Sequence, residues 1–245
     1  MARSLRMLLL VGLTGALAWG ANPAAAPTCA IAPFENRSGD ANLNWIGESF
    51  VLALTQALQG TDVGILNRSE WSRALALAGA PVGESLSHAT LIRIADGADA
   101  QWLVVGWFNY DGDQLQAEAS LIDLQHEHLV TLAPVAGVLN DLEKLQQQLG
   151  WGLRQQMAPS AAAEPAPPQL PLVSYENYVR SLMATNQTTR LIDLKVAAHF
   201  APADPRIQLE LGQAYLDGGD NANAYPTFMA VAADAEQYLR AQFGA

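Results

Sequence analysis

Lysine is nearly missing from this chain. Among 245 residues only Lys144 and Lys195 are lysines, and 24 acidic residues outnumber 13 basic ones for a formal net charge of −11. Setting aside a leader that carries Arg3 and Arg6 takes the charge to −13. A surface of that sign repels phosphate backbones and anionic lipid, which excludes nucleic-acid partners and peripheral membrane attachment. Cysteine is scarce as well: Cys29 stands alone, so no intrachain disulfide can form. Long apolar runs are lacking. Residues 7–19 form an apolar stretch of 13, short of the roughly 20 needed to cross a bilayer. Signatures of catalysis are absent too, with no Gly-x-Ser-x-Gly, no phosphate loop and no His-Glu-x-x-His. Cys29 has no plausible base beside it, and His88 and His199 stand singly. We therefore expect no enzyme, no cofactor and no metal.

What is there begins with an export signal. Arg3 and Arg6 precede the apolar run and small residues follow through Ala26, the charged, apolar and small-residue order of a cleaved leader over residues 1–26. An uncleaved anchor is the alternative. Cys29 lies just beyond, where lipid modification is one option and a buried strand residue the other.

Residues 28–34 read as a short apolar strand, and Glu35-Asn36-Arg37-Ser38-Gly39-Asp40 as a polar turn. An amphipathic helix follows with Ile46, Phe50, Ala53, Leu54, Ala57 and Leu58 on one face. A second short strand is expected at residues 63–66. Asn67 with Glu70 then forms a capping box for a helix lined by Trp71, Leu75 and Ala78. Ser87 caps another helix that buries Leu91, Ile92 and Ala95. Residues 101–110 are β-branched and aromatic, Asp111-Gly112-Asp113 is a turn, and residues 114–123 alternate, which together predict a hairpin. A third strand is expected at residues 128–133. Leu142, Leu145, Leu149 and Leu153 then stripe one helix.

Residues 158–171 are rich in proline and alanine without a period, the composition of a semi-extended linker. Beyond it the strand signals vanish. Leu211, Gly212, Tyr215, Ala224 and Phe228 fall at the intervals of a tetratricopeptide repeat, with Asp217-Gly218-Gly219-Asp220 as the turn between its helices. A repeat 34 residues earlier is degenerate, and a third begins near Leu239. The expected fold class is thus an α/β mixed sheet with packed helices over residues 27–157. A short all-α tetratricopeptide-repeat segment follows over 172–245.

Residues 30–40, Ala-Ile-Ala-Pro-Phe-Glu-Asn-Arg-Ser-Gly-Asp, followed by Asn44-Trp45-Ile46-Gly47-Glu48, resemble the TolB amino-terminal-like domain, to which FlgO and CsgG have related domains. Gly97-Ala98-Asp99, Val104-Val105-Gly106 and the hairpin through Asp123 extend the resemblance to residues 29–157. The family usually places a glycine in the turn after the strand ending at Asp123, whereas this chain has Gln125-His126-Glu127-His128. The resemblance implies an envelope scaffold or assembly factor and brings no catalytic residues with it.

Candidate site residues are few. Residues 36–40 follow a strand and open a helix, so they can either bind a ligand through Arg37 or simply cap that helix. On the repeat helices, Gln208 and Gln213 are expected to face the groove that holds protein. His126 and His128 would share a strand face, without a third ligand to complete a metal site. We expect an exported scaffold that binds other proteins of the periplasm or cell envelope through its repeats. Self-association is a further expectation, and no membrane insertion of the mature chain is expected. The alternative is a small-ligand sensor whose α/β domain binds a metabolite or glycan.

Overall fold

The structure, a computed structural model, describes residues 27–80, 86–160 and 170–231. The expected leader, most of the expected linker and the expected start of a third repeat lie outside the described residues.

Strand β1 (Thr28–Ile31) lies between β3 (Gly64–Ile65) and β4 (Trp102–Tyr110), parallel to both. Pro33 has no N–H to continue the ladder. The extended segment resumes as β2 (Glu35–Asn36), again parallel to β4. Between them the Phe34 N–H is diverted to the Gly47 carbonyl of helix α1 (Asn44–Ala57) at 3.2 Å. That approach needs the glycine, because a Cβ on Gly47 would collide with the Phe34 carbonyl oxygen.

The Asp-Gly hairpin forms as expected. β4 pairs antiparallel with β5 (Gln114–Asp123) from Trp102 opposite Asp123 to Tyr110 opposite Leu115. Asp111 closes the turn by accepting from the Asp113 and Gln114 N–H groups at 3.0 and 2.8 Å. Those backbone hydrogen bonds, the one from Gln114 foremost, hold its carboxyl below the ordinary value. Beyond β5 lie β6 (His128–Thr131) and β7 (Val135–Val138), which pair with successive parts of the same strand. Pro134 separates them, as Pro33 separates β1 and β2. The expected third strand is β6; β7 was not anticipated, because four residues after a proline carry too little pattern. The sheet has seven strands, ordered β3-β1-β4-β5-β6 with β2 and β7 continuing its flanks.

One face of the sheet is fully covered. Val104 and Phe108 of β4 and Leu115, Ala117, Ala119 and Leu121 of β5 pack against Ile46, Phe50 and Leu54 of α1. Helix α4 (Leu142–Met157) adds Leu142, Leu145, Leu149 and Leu153, the expected stripe. Phe34 and Phe50 stack with centroids 4.4 Å apart. The other face is covered only at one end. There α2 (Arg68–Leu77) and α3 (His88–Asp96) bring Trp71, Ile94 and Ala95 onto Leu103, Val105 and Ile122. Two expected core positions are corrected here. Ala78 ends its helix exposed, and Ile92 points to solvent while Ile94 takes the buried place.

Helices α5 (Leu172–Met183) and α6 (Gln187–Phe200) form one hairpin, α7 (Pro205–Asp217) and α8 (Asn221–Met229) a second. Asp204 caps α7 and Pro205 occupies its first turn, where a missing N–H costs nothing. Gly212 lets α8 approach: a Cβ there would lie 2.6 Å from the Phe228 ring. The sequence suggested two modules on a linker, and the packing adds an interface between them. Tyr175 and Val179 of α5 belong to the same core cluster as α1 and α4. The Tyr175 hydroxyl donates to Gln146 Oε1 at 3.0 Å, with the Ser49 carbonyl at 3.4 Å. Gln146 Nε2 donates to Ser49 Oγ, which donates to the Ile46 carbonyl at 2.7 Å. Every polar group of this buried chain is thus paired. Glu143 of α4 accepts the Leu170 N–H at 3.1 Å and faces Arg206 of α7 at 3.8 Å.

Candidate functional site

The turn after β2 satisfies itself. Asn36 Oδ1 accepts from the Ser38 N–H and hydroxyl, and Asn36 Nδ2 donates to the Asp40 carbonyl and to Asn44 Oδ1, both at 2.8 Å. Asp40 caps the turn that leads into α1 through the Asn42 N–H at 2.9 Å. These polar side chains are occupied with capping, which leaves Arg37 as the one that reaches away. Its backbone N–H donates to the Phe108 carbonyl at 2.9 Å, so the residue still rides on the edge of β4.

The Arg37 side chain crosses onto the uncovered end of the sheet. Its Nε donates to Glu35 Oε2 at 2.9 Å, and its Cζ lies 4.7 Å from the centre of the Trp107 ring. A guanidinium over an indole face is attracted by the ring quadrupole, an effect of about 0.5–1 kcal/mol at an exposed site. Trp107 stands on the same face as Leu103 and Val105 but outside the cluster that α2 and α3 bury there, and the first residue of α3, His88, borders the space beside it. Directly across the hairpin from it is Glu118, whose Oε1 accepts the Trp107 indole N–H at 3.3 Å. Around this pair is an open depression of about 250 Å³, lined by Arg37, His88, Val105, Gly106, Trp107, Glu118 and Ser120.

The aromatic residues of β4 separate by strand period. Phe108 is buried in the main core, Trp102 and Tyr110 pack at its margin, and Trp107 faces the depression. Register across the Asp-Gly turn could have paired Trp107 with Glu118 from sequence alone. The arrival of Arg37, seventy positions earlier in the chain, could not have been counted out.

The other candidates are placed as follows. Gln208 is only 8% exposed and its amide donates to the Pro202 carbonyl at 2.8 Å, so it is withdrawn from any groove. The expectation that it faces the groove takes no account of the loop before α7, which folds back to meet it. Gln213 is partly exposed and donates to Asp217 at 2.7 Å, in a network that Arg190 extends to Asp217 and Glu210. His126 and His128 do not share a strand. His126 sits in the turn with Nδ1 2.8 Å from Asp123 Oδ2, and only His128 is on β6. Desolvation of Asp123 works against ionisation, and the hydrogen bonds from His126 and Gln125 outweigh it, holding the carboxyl below its ordinary value. Glu127 adopts a φ of 51°, the left-handed conformation that glycine takes more readily than any side-chain-bearing residue. Among the described residues no cluster of three potential metal ligands occurs, and no helix is long and apolar enough to cross a membrane. Cys29 is buried between neighbouring strands, and burial pushes its thiol up to about 12, which denies it thiolate chemistry at neutral pH.

No protein-family model matches the chain, and no curated protein matches it. Among solved structures it is similar to the LpoB C-terminal domain from Salmonella enterica, at 18% identity and a TM-score of 0.38, over 46% of this chain and 84% of that one. It is similar to TolB from Acinetobacter baumannii, at 14% identity and a TM-score of 0.37, over 55% of this chain and 29% of that one. A lipoprotein from Neisseria meningitidis is similar at 14% identity and a TM-score of 0.37, over 55% of this chain and 99% of that one. Each match spans about half of this chain, and function has to be argued from the chain's own residues.

Proposed function

We propose that this chain is an exported, non-enzymatic scaffold or assembly protein of the bacterial envelope. In this reading helices α5–α8 are tetratricopeptide-type repeats that bind other proteins, and residues 27–157 are the body that carries them. The observation behind it is a contrast along the helices. α5 is anchored to the body by Tyr175 and Val179, whereas Ile192, Phe200, Tyr225 and Met229 on α6 and α8 stay about half exposed. Tyr225 and Met229 are one turn apart, so they share a helix face. Apolar side chains grouped on a surface mark places where protein partners dock. The leader pattern of residues 1–26 supports export, and the acidic surface favours protein over nucleic acid as the partner.

The experiment is capture of envelope proteins by the wild-type chain and by a Tyr225→Asp, Met229→Asp double variant, with light scattering to count copies. A partner, or a second copy, held by the wild type and released by the variant at an unchanged melting temperature supports the reading. Equal capture by both proteins overturns it.

A further inference from the structure

We propose that the depression around Trp107 is a binding site for a small zwitterion, an α-amino acid or the short peptide built from one, with carboxylate and ammonium on a single molecule. The site is independent of the repeat helices and of the partner assigned to them.

Its cationic side is preorganised. Arg37 is held by Glu35 through Nε and by the indole of Trp107 beneath its guanidinium, so little side-chain freedom is left to lose on binding. Both Nη groups are without a hydrogen-bond partner among the described residues, and this outer edge is the fork that a carboxylate accepts from in bidentate fashion. The anionic side is Glu118. One of its oxygens accepts the Trp107 indole N–H, and the other accepts no hydrogen bond among the described residues. Trp107 therefore spaces the two charges, with the guanidinium over its ring face and the carboxylate at its nitrogen edge. Ser120 and His88 line the same depression and offer further polar contacts.

Charge selects the ligand class. A simple anion approaching Arg37 would also meet Glu35 and Glu118 on a chain of net charge −11. A simple cation approaching Glu118 would meet Arg37. A molecule with both charges satisfies each side and neutralises its own repulsion with the other. Arg37 also covers the ring face of Trp107, which leaves charge and hydrogen bonding rather than stacking to recognise the ligand.

Calorimetric titration of the protein with L-alanine and with L-alanyl-L-alanine tests this, alongside acetate and methylammonium at matched ionic strength. The two zwitterions distinguish a free amino acid from a peptide. At least one is expected to bind about tenfold more tightly than either single-charge probe, and Arg37→Gln and Glu118→Gln are each expected to weaken it about tenfold. Independently of any variant's folding, the indole N–H resonance of Trp107 in the wild type should shift with the bound zwitterion and stay put with acetate. No binding of either zwitterion at millimolar concentration, equal binding of acetate, or a shift that bypasses Trp107 overturns the proposal.

Discussion

Tyr175 and Trp107 are both aromatic side chains with a polar tip and a polar partner, yet they lie in opposite surroundings. Tyr175 projects from α5 into the core, edge-on to Trp45 at 6.4 Å, and its hydroxyl ends in a chain through Gln146 and Ser49 to the Ile46 carbonyl. Burial pushes its phenol well above the ordinary value, so it stays protonated and can donate. Trp107 lies on the uncovered end of the sheet, with Arg37 over its face and Glu118 at its edge, and water reaches both partners. The same kinds of group hold the molecule together in one place and stand ready for a ligand in the other. What separates them is whether a lost partner can be replaced by solvent.

The sharpest way to break this contrast is truncation of the buried ring. Tyr175→Ala should cost about 3–5 kcal/mol in urea unfolding, since it empties a site at the junction of α1, α4 and α5. A cost below about 1 kcal/mol would mean that α5 does not share the core. Gly212→Ala comes next, at about 1–3 kcal/mol, because the new Cβ presses on the Phe228 ring. It should loosen α7 and α8 while the near-ultraviolet signal of the sheet persists. Tyr175→Phe isolates the hydroxyl and should cost about 1–2 kcal/mol by leaving Gln146 Oε1 without its donor. On the open side, Glu118→Gln should stay within about 0.5 kcal/mol of the wild type, as water replaces what the carboxylate loses.

The smallest effect is a dependence on pH at the interface itself. Desolvation raises the Glu143 carboxyl above its ordinary 4.5, against the opposing Leu170 N–H and Arg206. The folded chain therefore holds that proton more tightly than the unfolded chain does. This contribution favours folding as the pH falls through the raised value toward 4.5, and is lost as the pH rises. Over that window the wild type should gain stability relative to Glu143→Gln. A difference that stays flat across it would remove Glu143 from the account.

Much of the body was legible because its elements repeat their own pattern. Ile46, Phe50 and Leu54 announce the inner face of α1, and Leu142, Leu145, Leu149 and Leu153 that of α4, since each helix is long enough to show its period. The hairpin was legible because the turn residues and the alternation agree. Short elements failed. In α3 both Ile92 and Ile94 are apolar, and only the position of the sheet chooses Ile94. The candidate site was half visible: Arg37 stood out as a charge at the end of a strand, but its target did not. Gln208 was expected to face a groove, and its amide instead meets the Pro202 carbonyl, a contact that a repeat pattern does not specify.

Local order, then, was written into the chain itself. Its acidic balance, its single cysteine, the Asp-Gly hairpin and the helical stripes follow from residue type and spacing, which act over a few positions. Tertiary structure decided that α5 closes the core of the α/β body and that Arg37 crosses to Trp107 beside Glu118. Those contacts join residues far apart in sequence, and they form only when packing of the whole chain makes exclusion of water from one surface, and its admission to another, the arrangement of lowest free energy.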